Sequence, residues 1–221
     1  KRMASVAVLA IMMLQIAVFA APVPADVIGT EYESAASLLC ALDIMVGDGD
    51  NFNPDDNITR AEFAQILTTT MALNEAAEAY SPVGLFTDVP TSEWYAAPVE
   101  LGAGIGAIKG YGDGTFGPDD NVLGIEAIKM MTFACGHNIT AEENGGYPSG
   151  YLATAQQIGM LRGITGIDYN VPMTRGQAAI LCANTLKVDM LQKISDGDRI
   201  IYRQTKDVNL LSEKHNVYKV D

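Results

Sequence analysis

Residues 44–58 read IMVGDGDNFNPDDNI and residues 108–122 read IKGYGDGTFGPDDNV, and the two stretches align without gaps. Phe, Pro, Asp, Asp and Asn recur in the same order at an offset of 64 residues, which chance rarely gives. A weaker, shorter copy occupies residues 163–175 and ends in MTR, which echoes ITR at residues 58–60. The sequence therefore predicts three similar units, the third with an eroded loop.

Each unit is predicted to form a helix, a loop and a second helix. The loops are rich in Gly, Asp and Asn, residues that favour turns and end helices. Three pairs have the spacing of a helix-capping box, and they are Thr30 with Glu33, Thr59 with Glu62, and Thr174 with Gln177. Apolar residues recur at helical intervals, so each helix has one face to bury. Because one helix pair cannot bury its own apolar face, we expect an all-α module in which the three pairs pack on one another.

The first 25 residues are predicted to be a secretory signal peptide. Two basic residues precede an apolar run that ends in small residues and prolines, as a cleavable export signal does. The alternative is a retained transmembrane helix, because the apolar run approaches the roughly 20 residues that span a bilayer. Membrane contact is expected only through this segment, if it stays uncleaved.

The remaining boundaries follow from the repeat and from a change of pattern after it. The three units are placed at residues 26–74, 84–137 and 146–187. Residues 188–221 form a short β-prone tail, which we interpret as the start of a following domain. Its β-prone runs lie at 200–202, 208–211 and 217–220.

The chain of 221 residues has 14 Lys and Arg against 27 Asp and Glu, a formal net charge of −13. This balance argues against sequence-independent nucleic-acid binding, because neutralising phosphates needs a basic surface. Metal-site and catalytic signatures such as CxxC, HExxH and GxSxG do not occur. The three cysteines lie in apolar, helix-like stretches and are predicted to be buried free thiols. We expect a binding or structural role and no enzyme.

Five short motifs carry a family resemblance. Residues 58–63 (ITRAEF) follow residues 52–55 (FNPD), and residues 110–118 (GYGDGTFGP) follow residues 86–89 (FTDV) and 94–96 (WYA). Together they resemble the S-layer homology (SLH) module of bacterial cell-surface proteins. The first and third units lack a clear Phe-x-Asp-Val start, which is a departure from the family pattern.

The resemblance covers roughly residues 30–186 and implies a pseudo-threefold bundle of three helix–loop–helix repeats. Grooves between such repeats bind an acidic secondary cell-wall polysaccharide and tie exported proteins to the wall without a covalent bond. An anionic cell-wall polysaccharide is therefore the expected partner, and the bacterial cell wall or cell surface the expected location. Two alternatives stay open. In the first, the repeats mainly pack on other copies of the chain in a surface lattice or filament. In the second, they localise a larger wall-associated enzyme.

The resemblance further implies that the arginine of the Thr-Arg-Ala-Glu motif contacts the acidic sugar. That arginine is Arg60 and, by position, Arg175. A cation at a helix N-terminus opposes the helix dipole, so its repetition suggests a nearby anion, and backbone donors there would add to the site. The alternative is an ion pair with a neighbouring acid. Because the second unit has Leu123 and Gly124 at these motif positions, at most two grooves should keep the arginine.

Four other residues are candidate ligand contacts. Tyr111 and Trp94 offer aromatic planes that cover the apolar faces of sugar rings, whereas core packing is the alternative, and the favoured one for Trp94. Lys109 and Arg162 precede repeat loops and would add positive charge to a groove. Solvated side chains are the alternative for both, and the favoured one.

Calcium is the one cofactor that the acidic loops suggest. Asn53, Asp55, Thr59 and Glu62 fall near the spacing of an EF-hand loop, but Asp56 stands where that loop needs glycine. Turn formation explains the same residue types, so no metal site is predicted.

Overall fold

A computed structural model describes residues 23–166, 168–196 and 199–217. These ranges are mostly helical and end in a two-stranded antiparallel sheet. The elements are a 3-10 helix Ala25–Val27, α1 Glu33–Ala41, α2 Arg60–Thr70, α3 Asn74–Ala79, α4 Ala96–Gly104, α5 Gly124–Ala134, α6 Asn138–Glu143, α7 Ser149–Gln157, α8 Arg175–Thr185, β1 Asp189–Asp196, β2 Arg199–Asn209 and α9 Leu210–Glu213. Most of the predicted signal peptide, residues 1–22, lies outside the described residues. Within those residues, no helix is long and apolar enough to cross a bilayer.

Helices α2 and α8 begin at the predicted caps. Thr59 Oγ1 accepts a hydrogen bond from the Glu62 N–H (3.2 Å), and Glu62 Oε2 accepts one from the Thr59 N–H (2.8 Å), so α2 starts with a complete capping box. A Thr–Gln pair repeats this cap at α8. At α5 the Leu123 N–H donates to Glu126 Oε2 (3.0 Å), but the leucine side chain has no acceptor to offer in return. The cap of α5 therefore lacks one of the two hydrogen bonds that α2 and α8 have.

The cap predicted for α1 is wrong. The residue before α1 is Tyr32, which makes no side-chain cap. Thr30 Oγ1 donates to the Val27 carbonyl (2.7 Å), and the Glu33 carboxylate accepts from the Gly29 N–H (2.8 Å). The Thr-x-x-Glu spacing is used by the turn that precedes the helix, so the helix begins later than the pattern predicts.

The helix pairs pack across units. Helix α2 contacts α4, α5 contacts α7, and α8 contacts α1. At the centre, the Ile58 N–H donates to the Met173 carbonyl (3.2 Å), the Met173 N–H donates to the Val122 carbonyl (2.9 Å), and the Val122 N–H donates to the Ile58 carbonyl (2.9 Å). All three side chains are buried. The loops before α2, α5 and α8 are therefore joined by a closed cycle of three backbone hydrogen bonds.

One large apolar core draws on every helix pair. Its buried members include Leu39 of α1, Phe63 of α2, Ile128 of α5 and Leu181 of α8. This packing confirms the expectation that the pairs bury their apolar faces on one another.

The prediction of buried, unpaired cysteines is confirmed. Cys40, Cys135 and Cys182 are all buried and free. Burial raises the pKa of Cys135 to about 12 and also raises the pKa of Cys182, so both thiols stay protonated and unreactive near neutral pH.

The β-prone tail forms a hairpin that joins the helical module. Strands β1 and β2 pair antiparallel, and the Leu191 N–H donates to the Cys135 carbonyl (3.2 Å). The strand predicted over residues 208–211 is wrong at Leu210 and Leu211, which belong to α9. Asn209 caps this short helix through its side chain, and Leu210 is buried in the core of the module. The run beyond Val217 lies outside the described residues.

Candidate functional site

Arg60 is held by five contacts although it stands at the start of α2. Its Nε donates to the Phe116 carbonyl (2.9 Å), its Nη2 donates to the Lys109 carbonyl (3.1 Å), and its Nη1 forms an ion pair with Glu126 Oε1 (2.5 Å). The guanidinium carbon lies 4.8 Å from the ring centre of Tyr111 and 4.7 Å from that of Phe116. Arg60 is only 4% exposed. The ion-pair interpretation of this residue is therefore confirmed.

Arg60 also forms part of the wall of an open cleft of about 330 Å³. The cleft lies between the loop that precedes α5, helix α5 itself and the start of α7. Its lining residues are Arg60, Ala107, Ile108, Lys109, Gly110, Tyr111, Phe116, Glu126, Lys129, Met130 and Tyr147. Three of these side chains are cations, one is a carboxylate, and two are half-exposed tyrosines.

Neither lysine of the cleft forms an ion pair with a described residue. Among the described residues, Arg60 and Glu126 form the only ion pair within 4 Å, so neither Lys109 nor Lys129 has a carboxylate at that distance. Burial lowers the pKa of Lys129, the nearby positive charge of Lys109 lowers it further, and the carboxylates of Glu142 and Glu126 only partly oppose this. Residues 23–187 contain six Lys or Arg against 21 Asp or Glu. Half of these scarce cations thus converge in one cleft that has a local excess of positive charge.

Tyr111 is fixed in place at the mouth of the cleft. Its hydroxyl donates to Asp120 Oδ2 (2.8 Å), and its ring lies over Arg60 while 53% of the residue stays exposed. Gly117 has a φ of +73°, and a Cβ there would come within 2.6 Å of the Tyr111 ring. The glycine is needed both for the backbone turn and for the close approach of the tyrosine.

Tyr147 and Lys129 complete the cleft, and neither was predicted from the sequence. Lys129 Nζ lies 5.6 Å from the ring centre of Tyr147, which is 52% exposed. Signals for both were present. Lys129 follows Glu126 by three residues in α5 and so shares its helix face. Tyr147 stands two residues before α7, as Trp94 stands two residues before α4.

The other selected residues lie elsewhere. Trp94 is 58% exposed, so the favoured core-packing interpretation is wrong, and it lines a separate shallow groove with Gln65 and Pro98. Arg175 donates to the carbonyls of Phe52 and Val46 (both 3.0 Å). In the described part of the chain, no carboxylate lies within 4 Å of Arg175. The cleft therefore brings together Arg60, Lys109 and Tyr111, but not Trp94 or Arg175.

Arg162 occupies a third location. It lines two adjoining grooves that it shares with Lys187 and Asn184. Like Lys109, it is exposed.

The expectation that backbone donors at the helix N-termini contribute to an anion site is wrong. The Arg60 N–H donates to the Asp120 carbonyl (2.8 Å) and the Ala61 N–H to the Pro118 carbonyl (3.0 Å). At α8 the first two N–H groups donate to the carbonyls of Asp56 and Pro54 in the same way (both 2.8 Å). These donors join one unit to the loop of another, so they are not available to an anion.

No group of three or more acidic, histidine or cysteine side chains within the described ranges is arranged to hold a metal ion. The loop whose spacing suggested calcium makes a turn at Asn53. This residue has a φ of +56°, a conformation that asparagine tolerates better than most residues.

Comparison with known proteins gives consistent matches. Residues 25–64 and 85–128 match the family model of the S-layer homology domain. The chain is 29% identical over 192 residues to the middle cell wall protein of Brevibacillus brevis, which covers 86% of this chain and 18% of that protein. It is 31% identical over 172 residues to a cell surface protein of Thermoanaerobacter kivui, covering 77% of this chain and 22% of that protein.

A further relative has an enzyme's name. The chain is 27% identical over 155 residues to exoglucanase XynX of Acetivibrio thermocellus, covering 64% of this chain and 14% of that protein. The chain spans less than a quarter of the length of each of these three relatives.

Proposed function

Because residues 25–64 and 85–128 make this chain an S-layer homology domain protein of the bacterial cell wall and cell surface, we propose that it is a non-covalent wall anchor that binds an acidic secondary cell-wall polysaccharide. One observation carries the proposal. Arg60, Lys109 and Lys129 line a single cleft beside two exposed tyrosine rings, in a module where acids greatly outnumber bases.

The side chains of the cleft have different roles in the proposed recognition. Lys109 and Lys129 are unpaired point charges that can each take a carboxylate oxygen of the polymer. Arg60 is already paired with Glu126 and lies against two rings, so it supplies a rigid positive wall and, through its bond to the Lys109 carbonyl, orients the loop of Lys109. The tyrosine rings offer planar apolar surface with a polar tip, which suits the faces of a sugar.

We also propose that the units at residues 26–74, 84–137 and 146–187 form a pseudo-threefold bundle. The cycle of hydrogen bonds among Ile58, Val122 and Met173 supports this arrangement. Gly124 stands where the first unit has the motif arginine, so the second unit supplies no guanidinium at this position. The cleft at Arg60 brings an arginine, two lysines and two tyrosines together.

The 221 residues themselves are proposed to act by binding and to have no catalytic role. The likeness to an exoglucanase favours a second use of the same anchor, in which it holds a larger wall-associated enzyme in place. Packing of copies into a surface lattice is the competing role. Light scattering of the chain at rising concentration tests it, because a monomer that still binds the polysaccharide excludes a lattice built by these residues.

The deciding experiment is co-sedimentation of the full chain with sacculi of the source bacterium. One sample of sacculi keeps its attached polysaccharide, and the matched sample has the polysaccharide removed by mild acid. We expect binding to the first and at least a tenfold loss of affinity for the second, a difference of about 1.4 kcal/mol or more. Equal binding to both samples would overturn the proposal.

A further inference from the structure

We propose that the tail is an integral part of the helical module and ties together one end of its three central helices. These helices are α2, α5 and α8, the second of each pair, and each has 11 residues. Their N-terminal ends are joined by the backbone cycle at Ile58, Val122 and Met173, each of which lies two residues before its helix. The tail, over residues 188–196 and 199–217, closes the C-terminal ends. The inference does not depend on what the cleft at Arg60 binds.

The tail makes a hydrogen bond at the C-terminal end of each central helix. The three bonds run from His215 Nε2 to the Thr70 carbonyl of α2 (3.0 Å), from the Leu191 N–H to the Cys135 carbonyl after α5 (3.2 Å), and from the Leu211 N–H to the Leu186 carbonyl after α8 (3.0 Å). All three accepting residues are fully buried. The last carbonyls of a helix have no partner within it, and an unpaired buried carbonyl costs free energy. The tail therefore supplies donors that these helix ends need.

Both histidines of the chain lie at this contact. His215 makes the bond to α2, and His137, which follows α5 and is only 4% exposed, donates through Nε2 to the Asp189 carbonyl (2.9 Å). Since a carbonyl can only accept, each ring carries a proton on Nε2. Apolar packing adds to these bonds, because Val188 and Leu210 are buried in the same core as the helices.

Gly136 allows the tail to approach the end of α5. Its φ is +82°, in the left-handed region that commonly ends a helix. A Cβ at this position would collide with the Leu191 carbonyl oxygen. Gly106 ends α4 in nearly the same conformation, with a φ of +84°, but a Cβ there would meet the Phe133 ring at an ordinary 3.8 Å. The two glycines thus share their backbone conformation, and Gly136 differs in having the tail against it.

Contacts at all three helix ends make the tail a coupling between the units. The chain leaves α8, crosses the end of α5 as β1, and returns through β2 to α9, where it reaches the ends of α8 and α2. Displacement of the tail from one helix end therefore weakens its contacts with the other two. A pull on the tail is shared among three units rather than carried by the third unit alone, which suits an anchor under load.

Hydrogen exchange of the full chain, followed by NMR at single amides, tests this coupling. Gly136→Ala is compared with Gly106→Ala, because both replacements impose a similar backbone strain. We expect the N–H groups of Leu211 and Met71, which report on the ends of α8 and α2, to exchange at least tenfold faster in Gly136→Ala than in Gly106→Ala. The Phe63 N–H, in the first turn of α2, should exchange at similar rates in the two variants.

A second pair of variants tests the coupling from the end of α2, and it decides the question if Gly136→Ala does not fold. His215→Ala removes the bond to α2, and Lys214→Ala, at the exposed neighbouring position, is its control. His215→Ala should speed exchange of the Leu191 N–H, at the end of α5, at least fivefold, and Lys214→Ala should not. The inference is overturned if a substitution speeds exchange only at the helix end that it touches. It is also overturned if the Phe63 N–H accelerates equally, because that result would show a general loss of stability.

Discussion

Asp26 and Asp88 make the same pair of hydrogen bonds in successive repeat loops, 62 residues apart. The Asp26 carboxylate accepts from the backbone N–H groups of Phe52 (2.8 Å) and Asn53 (2.7 Å). The Asp88 carboxylate accepts from those of the equivalent residues 116 (2.8 Å) and 117 (2.7 Å). Each aspartate thus holds the loop that leads into the second helix of its unit, and only the loop held by Asp88 lines the cleft.

Replacement of these aspartates separates stability from binding. Asp88→Ala and Asp26→Ala each remove two hydrogen bonds to a charged acceptor, so each should lower the free energy of unfolding by about 2–4 kcal/mol in urea titrations. At temperatures where both variants stay folded, Asp88→Ala should also weaken binding to sacculi, because Phe116 and Tyr111 lose their fixed loop. Unchanged binding of Asp88→Ala, or an equal loss in Asp26→Ala, would contradict the placement of the site.

Removal of the two unpaired lysines should weaken binding with little cost in stability. The double variant Lys109→Gln with Lys129→Gln should lose at least tenfold in affinity for sacculi, about 1.4 kcal/mol, and the remaining binding should depend less on salt. The matched control is Lys193→Gln with Lys214→Gln, which removes the same charge from the tail. Equal losses in the two double variants would mean that only net charge matters.

The ring of Tyr147 should matter more than its hydroxyl. Tyr147→Ala removes an exposed aromatic surface beside Lys129 and should reduce the affinity for sacculi about two- to tenfold, in line with roughly 0.5–1.5 kcal/mol for an aromatic contact. Tyr147→Phe should bind nearly as the original chain does. Tyr202→Ala, on the hairpin, serves as the control for loss of an exposed tyrosine. A Phe variant as weak as the Ala variant would show that the hydroxyl makes the contact.

Glu100 is a buried carboxylate, 2% exposed, that ties α4 to the segment before it. It accepts from the backbone N–H groups of Val83 (2.9 Å), Gly84 (2.8 Å) and Leu85 (2.9 Å), and from the Tyr80 hydroxyl (3.1 Å). Burial by itself raises the pKa of Glu100, but the hydrogen bonds outweigh it and hold the pKa below its ordinary value.

The lowered pKa of Glu100 predicts a defined loss of stability in acid. Its contribution is fully present above the unfolded-state pKa of about 4.3 and is lost as the pH falls through the lower folded-state pKa. Glu100→Gln should lower the free energy of unfolding at pH 7 by about 2–3 kcal/mol and should flatten its dependence on pH below about 4.3. Glu75→Gln, at an exposed site on α3, should do neither. An acid dependence that Glu100→Gln leaves unchanged would assign it to other carboxylates.

The repeat and the second helix of each unit could be predicted from the sequence because their signals are local. The Thr59 cap and the loop composition lie within a few residues of the structures that they specify. Arg60 could be selected for the same reason, since it stands inside a recognisable motif. The prediction of a helix cap at Thr30 was wrong because the preceding turn uses the same side chains.

The full cleft could not be predicted because its walls come from distant parts of the chain. Arg60, Lys129 and Tyr147 meet only when the loop before α5 is held between two other units, and helical periodicity does not say which units pack together. Asp26 was not predicted for a different reason. Phe86 stands two residues before Asp88 and marks the start of the second unit, whereas Pro24 stands in that place before Asp26. Asp26 nevertheless makes the same hydrogen bonds as Asp88.

The closed cycle of backbone hydrogen bonds at Ile58, Val122 and Met173 has a consequence for how such a chain can be shortened or inherited. An open row of helical repeats tolerates the loss of a member, provided that its two end members carry polar outer faces. A closed arrangement of three units has no end unit. Loss of any one unit would therefore expose apolar surface on both of the remaining units. In the proposed three-unit bundle, the units are therefore expected to be inherited together, and a unit can diverge, as the second does at Gly124, only while the cycle of hydrogen bonds stays closed.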